Sequence, residues 1–278
     1  DGGVDWDAAL GAIGERTRVV AIQRSRGYDW RPSFTVADIG EMARRVKAIK
    51  PDAVVFVDNC YGEFTELREP TEAGVDLMAG SLIKNPGGGL ALSGGYICGR
   101  SDLVEKAAGR LTAPGIGGEV GATAGMQRWM FQGFFLAPHA VGQAVKGSIF
   151  AAALLEELGF ETNPRWHEPR TDLIQAVRFD SADKLIAFVQ GIQQAAAVDA
   201  HAMPEPGAMP GYEHPVIMAA GAFVQGGSLE LSADAPIREP YIAYVQGGLT
   251  YAHAKLGILS ALTRLAEASN IVIKPNIP

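Results

Sequence analysis

Apolar positions along this chain fall into two kinds of run. Arg18-Val-Val-Ala-Ile-Gln23 and Ala53-Val-Val-Phe-Val-Asp58 are short and almost continuously apolar, the pattern of strands buried on both faces. Between them, Ile39, Met42, Val46 and Ile49 recur at helical spacing, and Thr35 stands where an N-cap belongs. The spacing predicts a helix over Val36–Lys50, ended by Pro51-Asp52. Strand, helix and strand in this order make a βαβ unit, which implies a parallel sheet.

The pattern continues on both sides of that unit. Ala8–Ile13 reads as a short helix, and Leu77–Ser81 and Gly94–Cys98 as short strands. Between those strands lies the loop Lys84-Asn-Pro-Gly-Gly-Gly89, whose glycines predict unusual backbone angles. A helix is expected from Ser101 to about Leu111, and another over Glu119–Phe135, broken at Pro138. Ala140–Leu158 is Ala-rich and closed by Gly159, a good C-cap. Beyond it, Leu173–Phe179 is strand-like, Ala182–Ala197 helical, and Met203–His214 a proline- and glycine-bearing loop. Ala222–Ser232 and Tyr241–Ala268 suggest a strand pair followed by a terminal helix. The change of pattern near residue 140 divides the chain into a large domain, 1–139, and a smaller α+β domain, 140–278.

Composition narrows the function. The chain has 278 residues and a net charge of −7, which argues against a nucleic-acid partner, since such proteins need a basic patch. No charge-free apolar run reaches the roughly 18 residues of a membrane span; Leu249–Leu265 comes nearest, interrupted by Lys255 and Arg264. Cys60 and Cys98 sit in apolar runs, as buried free thiols in a reducing cytoplasm would. The chain opens on Asp1-Gly-Gly-Val-Asp-Trp6 without a Met, which reads as the interior of a domain and suggests that an N-terminal part is missing. The five histidines show no metal-ligand spacing, and the glycine runs match no nucleotide-binding fingerprint.

Candidate chemistry centres on Asp58, at the carboxyl end of a strand, with Ser81 and Lys84 following. Ligands of open α/β sheets sit outside the carboxyl ends of strands. A lysine amine, a carboxylate and a hydroxyl there suit pyridoxal 5′-phosphate (PLP). The amine condenses with the aldehyde, the carboxylate keeps the pyridine nitrogen protonated, and the hydroxyl can meet the phosphate. A lysine's readiness to lose its proton when desolvated suits it to that role. The run Gly87–Gly89 would let backbone approach the ring. Each residue also has an ordinary reading. Asp58 alone is a turn residue, Lys84 a solvated surface lysine, Arg24 and Arg26 surface charges, and Arg238 a partner for Glu239 or Glu230.

The motifs Val57-Asp-Asn-Cys-Tyr-Gly62 and Gly80-Ser-Leu-Ile-Lys-Asn85 resemble the Asp and Lys motifs of fold-type I PLP enzymes, in the cystathionine/methionine gamma-lyase group. Ile22-Gln-Arg-Ser-Arg-Gly-Tyr28, Ser81-Leu-Ile-Lys-Asn-Pro-Gly-Gly88 and Leu111-Thr-Ala-Pro-Gly-Ile-Gly117 resemble, more narrowly, the aluminium-resistance proteins, usually called candidate carbon–sulfur lyases. The resemblance implies an α/β fold of the aspartate-aminotransferase kind, fold type I. It makes Lys84 the Schiff-base lysine, Asp58 the pyridinium partner and Ser81 a phosphate ligand. Arg24 or Arg26 would meet phosphate or substrate carboxylate in the same crevice, Arg238 would hold the substrate α-carboxylate, and Tyr61 would lie near the ring. The implied reaction is β- or γ-elimination on a sulfur-containing amino acid, in a cytoplasmic homodimer or homotetramer. Transamination on the same cofactor, or a truncated chain that only binds a partner, are the alternatives.

Overall fold

The computed structural model describes residues 3–121, 123–224 and 226–269. It holds two sheets joined by one long helix. Following the short helix α1 (Trp6–Gly11), the first sheet has the order β1 (Val19–Gln23), β2 (Val54–Asp58), β3 (Leu77–Ser81), β4 (Gly95–Gly99). The first three strands are parallel and β4 is antiparallel to β3. Helix α2 (Val36–Ile49) makes the β1–β2 crossover. Thr35 caps it as expected, in a reciprocal capping box with Asp38. The apolar stripe of α2 (Ile39, Met42, Val46) packs on Ile22, Val55 and Val57.

The strands are not buried on both faces. Val19 is 56% exposed, and in β1 exposure alternates with burial. Helix α2 covers the face of Val55 and Val57, while Val54 and Phe56 on the other face are only half-buried. A continuously apolar sequence had masked a one-sided environment.

Helix α3 (Ser101–Leu111) follows β4. The two helices expected around Pro138 are one, α4, of 31 residues over Gln127–Glu157 with Pro138 inside. The segment just before it is not helical. A proline removes one helical hydrogen bond and costs about 3 kcal/mol, so packing must outweigh that at this turn. A methyl added to Gly133 would overlap the carbonyl of Gly87, and one added to Gly88 would overlap the carbonyl of Gly133. Backbone lies on backbone there, with Ala137 fully buried beside it. The boundary expected near residue 140 therefore falls inside α4, which serves both halves.

The second sheet is wholly antiparallel, in the order β5 (Glu161–Asn163), β6 (Gln175–Arg178), β9 (Ile242–Gln246), β8 (Ser232–Pro236), β7 (Val216–Ala219). The strand expected over Ala222–Ser232 is a loop, and β7 and β8 lie on either side of it. One face of this sheet (Val177, Ala233, Ala235, Ala243, Val245) packs on α4, α5 (Ala182–Gln194) and α6 (Tyr251–Ser269) in the larger core. Its other face presents Ala176, Ile242 and Tyr244 to Tyr28, Trp30 and Tyr61 of the first half. Thr65 donates to the carbonyl of Thr171 at 2.9 Å across the same seam. No helix of the described residues is long and apolar enough to cross a membrane.

The Gly88 contact can be tested by denaturation. Gly88 has φ +55° and no room for a methyl, so Gly88→Ala should lower stability by about 2–3 kcal/mol. Gly142→Ala, in the same α4 with nothing within 4 Å of the new methyl, should hold or raise it by up to about 1 kcal/mol. Equal losses in both variants would refute the packing account.

Candidate active site

The parallel register of β2 and β3 pairs Asp58 with Ala79, and Asn59 donates its N–H to the Ala79 carbonyl at 2.9 Å. Asp58 thus ends one strand and Ser81 its neighbour, with Lys84 three residues past that end. Asp58 is exposed, and its described hydrogen bond comes from the N–H of Cys60 at 3.1 Å. Ser81 is half-buried, and its carbonyl accepts from the N–H of Lys84 at 3.3 Å.

Lys84 is half-buried, with Nζ 4.1 Å from the centre of the Tyr61 ring, a cation–π distance. The Tyr61 hydroxyl accepts from Gln246 Nε2 at 2.9 Å, which joins the lysine to the second sheet. Tyr61 has φ +71°, strained for a side chain of that size. Burial alone would pull the Lys84 ammonium down, but the Tyr61 phenol, the Cys60 thiol and the Asp58 carboxylate outweigh it and hold the amine above the usual lysine range. A desolvated lysine that gives up its proton readily is therefore not what the fold provides; its neighbours keep the charge. Burial pushes the Tyr61 phenol up and the Cys60 thiol to about 11.

The glycines after Lys84 do something other than expected. Gly87 and Gly88 lie against Leu82 and α4, and a methyl at Gly89 would strike Leu249. The run makes room for packing rather than for a cofactor ring. On the other side of Lys84, the carbonyl of Ile83 accepts from the N–H of Leu229, which brings the Gly226–Ser228 loop close.

Three arginines leave the constellation. Arg24 is fully buried, with Nη2 2.8 Å from Glu66, Nη1 3.5 Å from Glu69, and Nη1 donating to Asn59 Oδ1 at 2.8 Å. Its guanidinium is taken up inside the fold and cannot meet a phosphate. Arg26 is buried too, but lines a cavity that contains none of Asp58, Ser81 and Lys84. Arg238 donates to the Tyr28 carbonyl at 3.0 Å in a cleft of its own, beside Trp30 and Pro240. A shared position after one strand does not make neighbouring side chains face one crevice.

Sequence reasoning also missed residues. Asp234 is half-buried on β8, paired with Tyr244. Burial pushes its carboxyl up to about 6, against the pull of Lys84 and of a hydrogen bond with Tyr28. The signal was an Asp inside the alternating run Ser232-Ala-Asp-Ala-Pro236, where the alanines face the core. Beneath the strand ends lies a polar network: Tyr96 donates to Glu63 Oε1 at 2.8 Å, and Asn59 Nδ2 donates to Glu69 at 2.9 Å and lies 3.2 Å from the Tyr96 hydroxyl. Asn85, next to Lys84, donates to the Glu63 carbonyl at 2.9 Å. No feature of local sequence marks these as partners. Cys60 and Cys98 are free and only half-buried.

The methionine gamma-lyase family matches residues 1–266. The chain belongs to that family. Among its relatives, the protein YnbB of Bacillus subtilis is 57% identical over 96% of this chain, and a 33.9 kDa protein of Lactobacillus delbrueckii subsp. bulgaricus is 55% identical over 97% of this chain and 89% of its own. The chain spans 63% of the length of YnbB. A solved structure from Listeria innocua, described as a candidate cystathionine beta-lyase involved in aluminium resistance, superposes with a TM-score of 0.89 at 58% identity, covering 94% of this chain and 64% of that one. A Clostridium novyi protein described as a carbon–sulfur lyase involved in aluminium resistance gives 0.82 at 54%, over 89% of this chain and 57% of that one. Serine palmitoyltransferase of Sphingomonas wittichii, at 14% identity and a TM-score of 0.59 over 96% of this chain and 59% of that one, shares the fold. This gamma-lyase family member is an α/β protein with a mixed sheet.

Glu63 allows a test of the network under that site. It is 3% exposed, and burial pushes its carboxyl up to about 7 from an ordinary value of 4.5. The folded protein therefore prefers the neutral acid. That contribution is full below pH 4.5 and is lost as the pH rises through 7. Glu63→Gln cannot ionise, so its stability relative to wild type should climb across that window, by at most on the order of 3 kcal/mol. Urea denaturation at a series of pH values reads this. A difference that does not change with pH would show that Glu63 ionises freely.

Proposed function

We propose that this chain carries the lysine centre of a PLP-dependent carbon–sulfur lyase, acting by β- or γ-elimination on a sulfur-containing amino acid. The observation that carries the reading is the placement of Asp58 and Ser81 at the carboxyl ends of adjacent parallel strands, with Lys84 three residues further on. Family membership and the names of the similar proteins support it. The donor set fits the cofactor: an amine, an exposed carboxylate that keeps oxygen lone pairs free, and a half-buried hydroxyl. Lys84 would hold the aldehyde carbon, Asp58 the pyridine nitrogen and Ser81 the phosphate.

PLP, when bound, supplies an electron sink for charge developing at the substrate Cα. Lys84 Nζ would take the proton from the substrate Cα as general base. Tyr61 keeps its own proton because its phenol is pushed up. Its oxygen already accepts from Gln246, so the O–H is left to donate toward the departing sulfur. Asp58 would hold the ring nitrogen when the cofactor is bound, where a neighbouring carboxylate favours the protonated form of that nitrogen. The Tyr61 ring, packed with Tyr28, Ile242 and Tyr244, keeps water from the lysine. We assign this work to a cytoplasmic homodimer or homotetramer, with residues 1–139 and 140–278 as its two domains.

Borohydride reduction of the PLP-treated protein, followed by peptide mass analysis, should find the cofactor on Lys84. Lys84→Ala should lose that adduct and at least about 10³-fold in thiol release from a sulfur amino acid. An adduct on another lysine, or turnover unchanged in Lys84→Ala, would remove the assignment. Tyr61→Phe should keep the adduct and lose about 10²-fold in turnover.

A further inference from the structure

Arg26, three residues past the end of β1, is 3% exposed. Its Nε and Nη1 reach no acceptor among the described residues. Arg24, two residues earlier, is as deeply buried but has Glu66 and Glu69. Asp172, whose charge reaches Arg26, already accepts from the Ser33 hydroxyl and, at 3.0 Å, from the Ile174 N–H. Close by is a second cation, Arg170, whose Nε and Nη1 also lack acceptors. Burial and the charge of Arg26 press its pKa down to about 10, although Asp172 opposes them. Two buried guanidiniums thus share one carboxylate, Asp172, which leaves the cluster with an excess of positive charge, a costly arrangement inside a fold.

Arg26 lines a cavity of about 570 Å³. Trp6, Phe34 and Met42 form part of its apolar wall. Its other lining carboxylates are already engaged. Asp38 accepts from the Thr35 cap, Glu41 from Arg44 and Arg45, and Glu168 from the Arg165 N–H. Among the described lining residues, the buried side-chain polar atoms left without a partner are Arg26 Nε and Nη1.

We propose that this cavity binds a small organic carboxylate, its oxygens on Arg26 and its apolar body against Trp6, Phe34 and Met42. Arg suits the role because its fork of donors matches a carboxylate in a bidentate pair. The cavity shares no lining residue with the Lys84 centre, so the inference stands apart from the lyase reading.

The test titrates the whole chain with benzoate, followed by tryptophan fluorescence and by melting temperature. Benzyl alcohol serves as the neutral arm and inorganic phosphate as the arm for a plain oxyanion. Benzoate should bind saturably and raise the melting temperature, benzyl alcohol should not saturate, and phosphate should bind more weakly than benzoate. Arg26→Met, close in size, should lose benzoate affinity at least about tenfold. Without ligand the variant should melt no lower than wild type, because an excess buried positive charge has been removed. Absence of saturable benzoate binding, or its survival in Arg26→Met, would overturn the proposal. So would phosphate binding more tightly than benzoate, or a variant that melts lower or fails to fold, since Arg26 would then have a structural partner within the chain.

Discussion

Everything at the site hangs on a parallel register held from below by buried polar groups. Asp58 pairs with Ala79, and the chain turns away at Asn59, whose side chain accepts from Arg24 and donates to Glu69. Those three, with Tyr96 and Glu63, fasten the ends of β1, β2 and β4 together. An unsatisfied member of such a network costs about 1–3 kcal/mol, more when charged. A one-residue slip of β2 would leave several members without partners. The two strand ends that place Asp58 and Lys84 are thus specified by groups that touch neither.

How much of this was legible follows from where each signal lives. The βαβ unit was readable because α2 has a clean apolar stripe and a capping box at Thr35. That Asp58 and Lys84 follow neighbouring strands was readable because the apolar runs before them stand in order along the chain. The strands' one-sided burial was not, because a continuously apolar run looks the same whether one face or two are covered. Pro138 misled for a related reason. Helix propensity is a local quantity, whereas the contact of Gly133 with the Gly87–Gly88 turn is a meeting of residues far apart in sequence.

The arginines show the limit most clearly. Arg24 and Arg26 occupy equivalent places after one strand, two residues apart, and sequence gives no ground for separating them. Yet one is enclosed by two carboxylates and the other lines a cavity with donors unmatched. The difference lies in Glu66, Glu69 and Asp172, which tertiary structure alone brings near. The same holds for Asp234, which reaches the neighbourhood of Lys84 through the β8–β9 pairing.

The contact of Gly88 with Gly133 has a mechanical meaning. The loop that follows Lys84 touches α4 through backbone alone, with no side chain between to absorb a displacement. The far half of α4, through Ala151 and Leu155, is embedded in the core of the second sheet, and Ser148 is tied to Leu173 at 2.8 Å. The helix therefore links that core to the loop that follows Lys84. Whatever shifts the second sheet along the axis of α4 bears on the lysine loop, and the Lys84 amine is coupled to a half of the chain that lies remote from it in sequence.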